Sequence, residues 1–191
     1  MYLAFVTAWA LAADGPETTF EQRCAVCHGS AGVGDGAAAA ALRPPPANLT
    51  AARFTTDYLT RVIREGIGGT GMPPGPDLEG ERLAGLVRHI QSLGPGREIV
   101  TDTALVDQGR ALFAIRCASC HGQAADGQGP AKERLAREAA SFVSKQPTRE
   151  RIEDVLDNGV PGTAMTPMRR LLSNPELDAV VAFIQSRFGG A

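Results

Sequence analysis

Two hexapeptides, CAVCHG at residues 24–29 and CASCHG at 117–122, place two thiols close together with an imidazole directly behind them. Side chains three residues apart share one face of a helix. Cys24 and Cys27, and again Cys117 and Cys120, can therefore bond to one flat group, while His28 or His121 projects a ring nitrogen at its centre. C-x-x-C-H is the attachment signature for c-type haem. The sulfurs add to the two vinyl groups of the porphyrin, and the histidine ligates the iron. Gly29 and Gly122 follow, and a residue without Cβ would let the backbone pass close to the macrocycle. A thioredoxin-like dithiol needs a βαβ setting, and a four-thiolate zinc site needs about 15–20 residues between pairs. The gap here is far longer, and neither alternative uses a histidine after both pairs.

An iron held by one histidine keeps a vacant position. Met72, in GIGGTGMPP, and Met165, in GVPGTAMTP, each follow the first cysteine of their motif by 48 residues. Both sit among glycines and prolines, which would fix a loop and its sulfur. His/Met ligation raises a haem potential, and a filled coordination sphere favours electron transfer over substrate binding. Met168 is the rival in the second case. The expected metal ligands are thus His28, Met72, His121 and Met165, with Cys24, Cys27, Cys117 and Cys120 as covalent anchors. The competing reading of a methionine is core packing, since Met is a common gap-filler.

Elements must hold these groups, and the chain repeats itself. Phe20 and Phe113, Arg23 and Arg116, His28 and His121, and Met72 and Met165 are all 93 positions apart, the mark of a duplicated domain. Helical spacing of apolar residues predicts helices over about 16–28, 56–65 and 81–93 in the first copy. The second copy gives about 103–121, 149–157 and 175–188. Pro16 suits a first helical position, and Asp102 or Thr103 suits a cap. No segment alternates as a strand would. The fold class expected is all-α: two tandem domains at 14–95 and 103–191, each around one haem, with a linker at 96–102.

Of 191 residues, 43% are hydrophobic and only 5% aromatic, and the formal net charge is −2. That balance offers no basic face for nucleic acid. Two halves of this size make thin cores, which a large cofactor in each would complete. Residues 1–13, MYLAFVTAWALAA, are apolar and too short to span a bilayer, which needs about 20 residues. Ala10-Leu11-Ala12 fits a signal-peptidase pattern. Either a cleaved signal or a retained anchor implies export to the periplasm or another extracytoplasmic space.

On FEQRCAVCHG, PPPANLT and GIGGTGMPP in the first copy, and GRALFAIRCASCHG and GVPGTAMTPM in the second, the chain resembles the class I cytochrome c family twice over. As a tandem it is similar to the dihaem cytochrome c4 group. The resemblance implies first and last helices crossing at one haem edge, with Phe20 and Phe113 packed there. It implies an aromatic in the last helix at that crossing, where Phe183 fits and the first copy has His89. It also implies a proline carbonyl, from Pro45 or Pro46, receiving the His28 N–H. The second copy has no such proline. The function implied is single-electron transfer by two covalently bound haem c groups, between a redox donor and acceptor outside the cytoplasm. The protein would be a carrier or the electron-transfer subunit of a membrane respiratory or dehydrogenase complex. The alternative is a dihaem peroxidase-like enzyme with one exchangeable haem ligand.

Overall fold

The computed structural model describes residues 15–96 and 100–189. The apolar segment 1–13 and the middle of the expected linker lie outside the described residues. The first half runs α1 (Pro16–Arg23), α2 (Ala25–His28), β1 (Ala52–Phe54), α3 (Thr56–Glu65) and α4 (Gly80–Leu93). The second repeats that order as α5 (Thr103–Arg116), α6 (Ala118–His121), β2 (Lys145–Pro147), α7 (Arg149–Asn158) and α8 (Asn174–Ser186). The architecture is helical, in two tandem units. Among the described residues no helix is long and apolar enough to cross a membrane.

Local chemistry accounts for the helix ends. Pro16 opens α1 at its first position, where a missing N–H costs nothing. Asp102 caps α5 by accepting from the Leu105 N–H at 3.0 Å. Thr55 and Thr148 cap α3 and α7 in the same way. Ser173 and Glu176 form a capping box on α8, satisfying two otherwise orphaned donors. The single helices expected over 16–28 and 103–121 are each broken at the first cysteine of the motif. Cys24 (φ −114°) and Cys117 (φ −122°) depart from regular helical φ and end the first helix of each half. Each break leaves a separate four-residue turn carrying the second cysteine and the histidine.

Each half buries its own core. In the first, α1 crosses α4 and α3 packs on α4, burying Phe20, Leu59, Leu83, Leu86 and Ile90. In the second, α5 crosses α8 over Phe113, Ile152, Leu156, Val180 and Phe183. Phe20 meets the His89 ring at 5.1 Å and 59°. Phe113 meets Phe183 at 5.0 Å and 56°. His89 therefore occupies the place of Phe183, and the closing helices align at an offset of 94 rather than 93. One residue has entered the second copy between Met165 and α8.

The two strands were not expected, and they join the halves. β1 and β2 pair antiparallel, Ala52 with Pro147, Arg53 with Gln146 and Phe54 with Lys145. The central partners, Arg53 and Gln146, are 93 positions apart, so equivalent residues meet each other. Flanking bonds obey the same symmetry: Thr55 N–H to Ser144 O at 2.9 Å and Thr148 N–H to Ala51 O at 3.0 Å. A Cβ on Gly69 would meet the Ala136 carbonyl, and one on Gly162 would meet Arg43. These pairs are again equivalent. The two halves are thus related by an approximate two-fold axis through the centre of this short ladder.

Candidate functional site

Each site starts at the kinked helix. The turn Ala25–His28 hangs from the Cys24 carbonyl, which accepts the N–H of Cys27 at 3.1 Å and of His28 at 2.9 Å. Cys117 does the same for Cys120 and His121, at 3.2 and 3.0 Å. Both cysteines of a pair are thereby held at one helix end, partly exposed and free of disulfides. Burial pushes the Cys24 thiol up from its ordinary value and the Cys117 thiol up to about 11. A reactive dithiol needs the opposite, a thiol with a depressed pKa. The direction of both shifts runs against a redox dithiol. Nor do the described residues gather three or more His, Cys, Asp or Glu side chains that could hold a metal ion, so the two thiol pairs do not build one zinc site.

The imidazoles are aimed by backbone. His28 Nδ1 lies 2.9 Å from the Ala47 carbonyl, and His121 Nδ1 lies 3.0 Å from the Ala140 carbonyl. A carbonyl only accepts, so Nδ1 carries the proton and Nε2 is the lone-pair nitrogen. Such an outer contact fixes tautomer and ring direction for a metal ligand. The expectation that Pro45 or Pro46 serves His28 is therefore corrected. The acceptor is the next residue, Ala47, and its equivalent in the second half is Ala140. A main-chain carbonyl needs no particular side chain, which is why the missing proline in the second copy changes nothing. Burial holds His121 below its ordinary pKa, and Phe142 stacks on its ring at 5.1 Å and 21°.

The glycines after each histidine also have a backbone reason to be glycine. Gly29 has φ 74° and Gly122 φ 75°, a region that disfavours side chains. A Cβ on either would strike the Asp35 or Asp126 carboxylate, at 1.9 and 2.2 Å. The positive φ at both positions and the folded-back loop beside them each favour glycine.

Met72 and Met165 sit in twin loops. The Met72 N–H donates to Thr70 Oγ1 at 3.0 Å, and Thr70 Oγ1 donates to Ile67 O at 2.8 Å. The Met165 N–H donates to Thr163 Oγ1 at 3.1 Å, and Thr163 Oγ1 donates to Val160 O at 2.8 Å. The methionine carbonyls accept from Ile67 and Val160. Threonine was not singled out in the sequence, although T-x-M recurs in both copies and would have signalled it. Met168 is built otherwise. Its equivalent is Gly75, and both donate a backbone N–H to the end of the preceding helix, at Leu156 and Ile63. Its side chain lines an apolar hollow with Cys117, Leu112, Leu156 and Val180. Arg23 and Asp77 form a two-pronged ion pair that ties the end of α1 to the segment after Met72.

Paired thiols on one helix end, an imidazole with its distal nitrogen left for a metal, and a methionine in a hydrogen-bonded loop suit a covalently attached haem. Burial favours the neutral His121 ring, the form that ligates a metal, and Cys117 lines an apolar hollow. The class of protein defined by this fold and these sites is a tandem of c-type cytochrome domains. The chain matches the family described as cytochrome C oxidase, cbb3-type, subunit III, twice, over residues 11–90 and 104–184, and it belongs to that family. Such domains bind haem c and transfer electrons. No curated protein sequence is recognisably similar to the chain. Among solved structures it is similar to a chain of the Kuenenia stuttgartiensis reducing HAO-like protein complex. The identity is 21%, covering 92% of this chain and 96% of that one, with a TM-score of 0.42.

Proposed function

We propose that this chain holds two haem c groups and passes single electrons between a donor and an acceptor outside the cytoplasm, as the electron-transfer subunit of a membrane oxidoreductase complex. The carrying observation is the duplicated ligand set: His28 and His121 oriented by equivalent carbonyls, and Met72 and Met165 caged by equivalent threonines. When bound, haem supplies a one-electron iron couple whose potential is raised by His/Met ligation.

The protein's own groups keep that exchange cheap. Cys24, Cys27, Cys117 and Cys120 anchor the ring covalently. The Nδ1 bonds to Ala47 and Ala140 prevent the imidazoles from turning. The threonine bonds hold each methionine loop, so His28, Met72, His121 and Met165 would hold the iron in the same places before and after the electron moves. No proton acceptor and no vacant position is required, and the chain by itself converts no substrate. The family description favours a complex subunit over a free carrier, and an apolar N-terminal segment suits attachment or export.

The test is the purified full chain, made in a host that matures c-type cytochromes. Two haems per polypeptide are expected by haem assay and mass, with a reduced state that does not bind carbon monoxide. A colourless chain, or one carrying zinc, overturns the proposal. Rapid carbon monoxide binding at one site without denaturant would make the protein an enzyme of the peroxidase type.

A further inference from the structure

The two imidazoles are held alike at Nδ1 and differ in what lies against the ring. Two residues after each accepting carbonyl stand Leu49 in the first half and Phe142 in the second, equivalent by the 93-residue repeat. The backbone there is the same in both. The Leu49 N–H donates to the Gly32 carbonyl and the Phe142 N–H to the Ala125 carbonyl, each at 2.7 Å. Gly32 and Ala125 are themselves equivalent, and both have positive φ, 74° and 60°. A matched main chain therefore carries two different side chains to equivalent places.

In the second half that side chain is a ring. Phe142 lies on His121 with centroids 5.1 Å apart and planes 21° from parallel, an offset stack. Phe113 stands edge-on to Phe142, at 6.2 Å and 77°, and meets His121 at 6.1 Å and 57°. The segment is pinned on both sides of the stack, by the Phe142 bond to Ala125 and by the Gly189 N–H, which donates to the Val143 carbonyl at 3.1 Å. In the first half Leu49 is buried in the core. Among the described residues no aromatic ring packs against His28, and Phe20, the equivalent of Phe113, meets His89 instead.

A stacked ring acts on an imidazole in two ways. A flat face laid along it opposes rotation about the Cβ–Cγ bond, so the plane of the histidine is fixed as well as its direction. The π face is also the negative pole of a quadrupole and draws positive charge. An imidazole on oxidised iron is the more positive form, because the site then carries one positive charge more. Leucine in that place would bury the imidazole too, but it has no such pole.

We propose that Phe142 is a positioning residue of the second site, which fixes the plane of the His121 imidazole and lowers the reduction potential of that site below the value an aliphatic residue would set. The inference rests on the haem reading above. The couple concerned is one electron entering or leaving the second site, with no bond formed or broken and no proton exchanged.

The test uses the full haem-loaded chain. In a spectroscopic redox titration the step displaced by Met72→His marks the first half, and the other marks the second. Phe142→Leu, which installs the first-half residue, should raise the second-half midpoint by about two- to fivefold in its equilibrium constant, about 20–40 mV at about 59 mV per tenfold. The first-half midpoint should stay in place. Phe142→Tyr, which keeps the π face, should hold the second-half midpoint within about twofold. Electron paramagnetic resonance of the oxidised chain should show Phe142→Leu altering one of two low-spin signals. A further measurement needs no variant. NMR of the reduced, diamagnetic chain should give nuclear Overhauser contacts between the Phe142 and His121 rings, and none from an aromatic side chain to the His28 ring. A second-half midpoint that Phe142→Leu leaves in place or lowers, an equal shift in Phe142→Tyr, unaltered resonance signals, or no contact between the two rings overturns the inference and leaves the haem reading intact. A chain without haem overturns that reading instead.

Discussion

The choice between Met165 and Met168 as a second axial ligand turns on their surroundings. Met165 and Met168 both face the second core, and both lie in a loop where a sulfur could approach a metal. Only Met165 repeats the threonine-held loop of Met72, bond for bond. Met168 stands where the first half has Gly75, so a ligand there would have no counterpart. Met165→Ala should therefore lose roughly half of the red charge-transfer absorption that marks thioether-bound iron, one of two sites. Met168→Ala should leave that band intact and cost stability instead, about 2–5 kcal/mol at most for a well-packed methionine. The reverse pattern in absorption spectra would hand the role to Met168.

The helices act as brackets, and their tightest point is the crossing of α5 and α8. Gly109 is buried there, and a Cβ would come within 1.9 Å of the Ala179 carbonyl and 2.8 Å of Phe183 Cβ. Because neither neighbour is a flexible chain end, Gly109→Ala should destabilise the second half by about 1–3 kcal/mol or more. Thermal unfolding followed separately at the two sites should show the loss in that half first. The start of α8 makes a second prediction. Bonds from the Ser173 backbone and hydroxyl hold the Glu176 carboxyl below its ordinary value of 4.5. A group with a depressed folded pKa stabilises above its unfolded value, and that contribution disappears as pH falls through the folded one. Glu176→Gln should lower the melting temperature by a few degrees at neutral pH. The gap to the unaltered protein should close as the pH drops well below the carboxylate range. A gap that persists in acid would show that the box acts through packing.

At the scale of the whole molecule, three-residue strands and close glycine contacts decide how the halves sit together. Gly69 has φ 70° and faces the Ala136 carbonyl from the other half, where a Cβ would lie at 2.4 Å. Gly69→Ala adds a strained backbone, about 1–2 kcal/mol, to a clash at the seam. Small-angle scattering should report a larger radius of gyration with haem content unchanged. Loss of haem from the first half would instead place the effect on the methionine loop that Gly69 belongs to.

The duplication and the six main helices were legible in the amino-acid order alone, and the proposed covalent and ligating residues are read from the same order. Each rests on a short spacing, the C-x-x-C-H step or the helical period, that holds wherever the chain goes. The break at each first cysteine was not legible, since a single residue departing from regular helical φ barely disturbs that period. The strands were not legible either, because three residues are too few to show alternation. Their pairing comes from the opposite half of the chain. The partner of each histidine is a backbone carbonyl nineteen positions away, and a carbonyl has no side-chain signature. The crowding of Gly29 by Asp35 and the equivalence of His89 with Phe183 depend on segments that meet only on folding. Local periodicity thus determined which residues recur and at what spacing, and tertiary contact decided how the two histidines are aimed, because a backbone carbonyl reaches an imidazole only once the chain has folded back.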